Sequence, residues 1–130
     1  MSHFTKIKTK ISEKDLLIKT LDKLKLNWSK EKTLISLYNN EKYICDITIK
    51  QKNGHKIGFS KKNQSYELIY DEMFWVLPIP ISLFNEKINT YYMLSLISKN
   101  LLKNGFEIKN IIKENENSHL KIKINALKYN

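Results

Sequence analysis

Apolar residues recur along this chain with two different periods, and the switches between them mark out the elements. Phe4, Ile7 and Ile11 stand among Thr and Lys in FTKIKTKI, an imperfect alternation that predicts a first strand over 4–11. Ser12 and Asp15 follow three residues apart, a variant of the capping box, ahead of Leu17, Leu21 and Leu24 at helical spacing. This predicts a helix over 13–25, closed by Trp28. Period two then returns. Residues 33–38 read as a strand turned by Asn39-Asn40. In the next strand Tyr43, Cys45, Ile47 and Ile49 share one face, and Ile44, Asp46, Thr48 and Lys50 share the other. Asn53-Gly54 is the strongest hairpin signal in the chain. Beyond it His55, Ile57 and Phe59 alternate with Lys56, Gly58 and Ser60. A turn at 61–63 leads to Tyr66, Leu68 and Tyr70, alternating with Glu67 and Ile69.

DEMFWVLPIP, residues 71–80, breaks the alternation, because Pro78 and Pro80 forbid a regular central strand. Ser82 is placed to cap a second helix over 83–103, whose apolar side includes Phe84, Ile88, Tyr91, Tyr92 and Leu102 and which Asn104-Gly105 stops. Residues 106–112 and 120–126 then form a last hairpin across a loop at 113–118. The order is β-α-β-β-β-β-α-β-β. Two helices cannot cover both faces of so many strands, so the expected fold is α+β, with both helices on one face of a mostly antiparallel sheet. A length of 130 residues predicts a single domain spanning 1–130, large enough to hide one core without staples.

Charge changes the picture less than its size suggests. The net charge is +10, which ordinarily points to a polyanion. Yet all 23 basic residues are lysine, 70 of the 130 residues are Lys, Ile, Asn, Tyr, Phe or Met, and six are Gly, Ala, Arg or Pro. That is the signature of an AT-rich gene. Nucleic-acid readers lean on the bidentate, stacking guanidinium, which lysine cannot copy. Lysines in the 51–75 stretch fall at turns or opposite the apolar ladder, as a half-solvated sheet requires. An RNA-binding module using Lys61, Lys62, Lys121 and Lys123 is therefore the alternative rather than the first reading. No uncharged apolar run reaches the ~18 residues of a membrane span, and MSHFTKIKTK lacks a signal core or transit character. A soluble protein that stays where it is made is the expectation.

Chemistry is sparse. His3, His55 and His119 have no partner motif, and each reads as a strand or turn residue. Cys45 beside Asp46 reads as a small core residue, because a neighbouring carboxylate disfavours thiolate and strand neighbours point apart. Asp46, Glu67, Asp71 and Glu72 match no metal-loop spacing. The expectation is no catalytic residue, no metal and no cofactor. Met73, Phe74 and Trp75, in the segment the prolines hold irregular, are the candidate surface for a protein partner.

Several stretches resemble the family known as hypothetical chloroplast reading frame thirty-five. They are MSHF with Ile7-Lys8-Thr9, then Asp46-Ile47-Thr48-Ile49, Ile57-Gly58-Phe59, Tyr66-Glu67-Leu68, Phe74-Trp75, Tyr92 and Gly105-Phe106. Their order and spacing cover nearly the whole chain. Leu94 and Ser95 depart from the pattern, where relatives often carry Tyr and His. The resemblance implies a plastid-encoded protein of the stroma or thylakoid periphery with no assigned reaction. It implies a role as an auxiliary binding factor in biogenesis or maintenance of a photosynthetic complex.

Overall fold

The computed structural model describes residues 4–30, 33–35, 42–116 and 119–128, and His3, Asn39 and Asn40 lie outside them. The described residues form nine strands, two α-helices and one short 3-10 turn. Strands β1 (Phe4–Lys8), β2 (Trp28–Ser29), β5 (Ile47–Lys50), β6 (Lys56–Lys62) and β7 (Ser65–Asp71) make one antiparallel sheet in the order β1-β7-β6-β5-β2. The chain enters at one edge, crosses a face as helix α1 (Lys14–Lys23), and rejoins the sheet at the opposite edge. Helix α2 (Ile81–Lys103) lies on the same face. The expected α+β arrangement, with both helices on one side, is therefore what the chain adopts.

The alternation explains the main core. Ile57 and Phe59 from β6, and Tyr66, Leu68 and Tyr70 from β7, point to one side and meet Leu16, Leu17 and Leu21 of α1 and Phe84, Ile88 and Tyr92 of α2. Asn53-Gly54 turns the β5–β6 hairpin as expected, with Gly54 at φ +87°. Helix α2 ends at Asn104-Gly105, also as expected, with Gly105 at φ +84°.

Four local expectations are corrected. The first strand ends at Lys8, and Thr9 and Ile11 stay attached through backbone bonds to Tyr66 (Thr9 N to Tyr66 O 3.0 Å, Tyr66 N to Ile11 O 2.8 Å). Ser12 does not cap α1. The Tyr92 hydroxyl, reaching across from α2, accepts from the amides of Ser12 and Glu13 at 3.2 and 3.1 Å, and α2 itself starts at Ile81 behind Pro80 with no side-chain cap. At its other end α1 stops two residues early, with Lys25 left-handed at φ +57° and Leu26 N bonded to Leu21 O, a Schellman closure without its usual glycine.

The strand expected across 43–50 is instead two, β4 (Lys42–Ile44) and β5, with a break at Cys45-Asp46. The break turns Cys45 to the back of the sheet, away from Ile47 and Ile49. There β4 pairs with β3 (Thr33–Ile35), and Leu34 and Cys45 pack on Ile69 in a second small core beside Phe4 and Tyr43. Part of the back face, expected to be wet, is thus covered. Gly58 lies beneath this cover. A Cβ there would sit 2.7 Å from Leu34 Cδ1 and closer still to Cys45 Sγ. The last two strands also run longer than expected. β8 (Phe106–Glu116) and β9 (His119–Lys128) form a separate ribbon, extended by pairs such as Glu114 opposite Lys121, and it packs along α2.

Candidate functional site

The irregular segment after β7 is fixed by a polar clamp. Asp71, at the strand end, accepts from Met73 N at 3.1 Å and starts the 3-10 turn Glu72–Phe74. The β5–β6 turn lies alongside. Buried Gln51 accepts from Val76 N at 2.8 Å and donates to the His55 carbonyl at 3.2 Å. Asn53 donates to the Phe74 carbonyl at 3.0 Å and accepts from His55 N. The His55 ring stacks flat on Phe74, with centroids 3.8 Å apart and planes 5° apart. The turn residues that look merely polar in the sequence therefore hold the candidate partner segment.

Within that segment the three candidates part company. Trp75 is half-buried. Its ring meets Tyr70 and Phe84 edge-on at 5.6 and 5.1 Å, and its Nε1 donates to the Ile79 carbonyl at 2.9 Å. Phe74 is half-buried against His55. Met73 is 61% exposed, and Val76, a bulky neighbour in the same segment but not one of the three candidates, is 47% exposed. The outward apolar surface here is Met73 and Val76, with Trp75 as its anchor in the core.

A concave feature lies between α2 and the β8–β9 ribbon. It has a volume of about 300 Å³. Met93, Leu94 and Ile97 of α2 face Ile122 and Ile124 of β9 across it, and Lys10, Asn89 and Thr90 complete its lining. Asn89 Oδ1 accepts from Lys10 N at 3.0 Å, which fixes the β1–α1 connection at that end. In the sequence these residues are scattered over more than a hundred positions, so only the packing of ribbon on helix brings them together.

The remaining candidates have structural surroundings. Burial, reinforced by the nearby Asp46 carboxylate, pushes the Cys45 thiol up to about 12. Asp46 accepts from Lys61 N at 3.0 Å and so ties the strand break to β6. Glu67 is buried on the back face and reaches Lys62 at 3.8 Å. Among the described residues no three His, Cys, Asp or Glu side chains gather as a metal site would need. The Lys61 ammonium lies 5.8 Å from the centroid of the buried Tyr66 ring. Lys121 and Lys123 are on the ribbon, so the four lysines of the nucleic-acid alternative are divided between two sheets. Among the described residues no helix is long and apolar enough to cross a membrane.

Comparison with known proteins agrees over most of the chain. A family model described as "Protein of unknown function (DUF1257)" matches residues 20–122. The uncharacterized protein ycf35 of Guillardia theta is 33% identical, over 88% of this chain and 91% of its own. The uncharacterized proteins ycf35 of Cyanophora paradoxa and Pyropia yezoensis are 34% and 36% identical, each over 82% of this chain and 84% of theirs. No solved structure matches. The relatives come from plastid-bearing organisms, which points to a plastid-encoded protein. The family that the sequence resembles is thus the one its relatives carry, and the chain belongs to the ycf35 family, a protein family of unknown function.

Proposed function

We infer that the protein is a non-catalytic binding factor that docks a protein partner on the surface formed by Met73 and Val76. One observation carries this reading: two large apolar side chains face solvent on a segment that is irregular yet held from both sides. Gln51 and Asn53 grip its backbone, and Trp75 pins it to Tyr70 and Phe84. Exposed apolar groups on a preorganised backbone bind with little ordering cost, which is how interface hot spots are built. Acting in the stroma or at the thylakoid periphery, such a factor serves in the assembly or upkeep of a photosynthetic complex. That part of the reading rests on the plastid lineage of the relatives.

The test uses tagged full-length chain as bait in plastid extract, beside a Met73→Asp/Val76→Asp variant. Both residues are exposed, so the variant keeps the wild-type melting temperature. The expected result is a protein retained at high salt by the wild type and lost by the variant. A catch that is identical for both baits, or that washes away with salt, overturns the reading.

A further inference from the structure

We propose that the groove between α2 and the β8–β9 ribbon is a binding site for one single-chain aliphatic carboxylate, a free fatty acid of medium length. The lining is graded. At one end stand Lys10, Asn89 and Thr90, and from there Met93, Leu94 and Ile97 run along α2 toward the other. Asn89 to Ile97 is eight steps along the helix, about 12 Å. Ile122 and Ile124 form the opposite wall with no polar group between them on that face, since Lys121 and Lys123 point the other way. A molecule with a polar head and an unbranched apolar tail matches that gradient.

The sign of the head follows from the lining. Lys10 is the one charged residue there, and no carboxylate accompanies it. The Asn89 amide is already engaged, its oxygen by Lys10 N and its nitrogen by the Asn85 carbonyl at 2.9 Å. Thr90 Oγ1 donates to the Glu86 carbonyl. Lys10, exposed and with no ion pair among the described residues, is thus the charged residue at this end of the lining left to meet a ligand, and its sign selects an anion. Size selects the tail. About 300 Å³ is the lower end for ligand pockets, too small for a helix ~10 Å across from a partner or a second copy. The walls are also apolar where a ligand would lie yet partly open to water, with Met93 38% and Ile97 43% exposed.

The methionines supply a built-in control, because Met93 lines the groove and Met73 is exposed elsewhere. In full-length chain labelled at the methionine methyls, decanoate is titrated below its micelle concentration, with decanol and decyltrimethylammonium as neutral and cationic analogues. The expected result is a saturable shift of the Met93 methyl at one equivalent while Met73 stays still. Decanol should bind more weakly and the cationic analogue not at all. Lys10→Gln should weaken decanoate about fivefold, the scale of one partly exposed ion pair, and leave decanol unchanged. Ile97→Asp should abolish the shift, and an unchanged melting temperature shows that the variant still folds. Parallel movement of Met73 and Met93 would mean adsorption to a cationic surface, and the proposal fails. It fails equally if Met93 shifts only on dilution of the protein alone, which makes the groove a self-contact. A response to anionic vesicles but not to monomeric decanoate overturns it as well.

Discussion

Single atoms decide the back of the sheet. Gly58 has no room for a side chain, because Leu34 and Cys45 are laid directly over it. Gly58→Ala should therefore cost about 1–3 kcal/mol in urea unfolding, the range for overpacking a filled core. Adding Cys45→Ala removes the closest offending atom, so the double variant should lose less than the sum of the singles. Cys45 also sets an alkaline limit. Its thiol is pushed from 9.0 to about 12 by burial and by Asp46. Below pH 9 folded and unfolded chains both keep the proton, and the thiol has no effect on the balance. Between 9 and about 12 only the unfolded chain ionises, so stability falls through that window. Tyr66 and Tyr70, both raised first by burial, act in the same direction. Urea midpoints measured from pH 8 to 11 should decline, and Cys45→Ala should lessen the slope without flattening it.

Between elements, the decisive bonds join residues far apart in sequence. Tyr92 holds the start of α1 from the middle of α2. Tyr92→Phe keeps the ring and strips the acceptor from two amides. The expected loss is about 1–2 kcal/mol, comparable to removing a helix cap, with faster hydrogen exchange at Ser12 and Glu13. Gln51 plays the equivalent part for the candidate partner segment, 73–76. Gln51→Ala leaves Val76 N without its acceptor, and exchange at that amide should rise about tenfold, for ~1.4 kcal/mol of local stability. An unaltered rate at Val76 would mean that the clamp does not hold the segment. These same contacts show where sequence reasoning stops. The ladder Ile57, Phe59, Tyr66, Leu68, Tyr70 was legible because period two exposes one face to the core whatever the neighbours are. Gly54 and Gly105 were legible because their backbone demands are local. The cap on α1 was misread as Ser12, since a motif four residues long cannot reveal a tyrosine eighty positions away. The end of α1 was missed because Lys25 occupies a left-handed position that glycine normally marks. Cys45 was assigned the wrong face because one irregular residue at Asp46 resets the alternation. Of the candidate partner surface, the segment was visible in its prolines and aromatics, while the division of labour between Trp75 inside and Met73 and Val76 outside was not. The groove was invisible, being made by docking the ribbon on α2.

For the whole molecule the question is whether +10 is a function or a residue of gene composition. The geometry bears on it through where the ammonium groups rest. Lys6 lies over Tyr43 on the back of the sheet, Lys61 beside Tyr66 on its ladder, Lys113 over Tyr91 of α2, and Lys128 over Phe106 at the ribbon base. These are four rings on four different parts of the fold, and Tyr66 is buried. A single-strand track needs consecutive aromatic platforms lined by cations, whereas dispersed lysines give a diffuse field that attracts any polyanion weakly. The two cases differ in how mutations add. With a diffuse field, binding to single-stranded RNA at low salt should fall with the number of lysines removed and not with their place. Lys61→Gln/Lys62→Gln, Lys121→Gln/Lys123→Gln and Lys19→Gln/Lys103→Gln should then weaken it equally, and physiological salt should erase what remains. A track would break that equality: one pair would remove binding and flatten the salt dependence while the others did little. Fluorescence anisotropy across a salt series, run on the three double variants, separates the two. The absence of arginine sets the expectation of equality, because no lysine on this surface can supply the planar, bidentate contact that would make one position count for more than another.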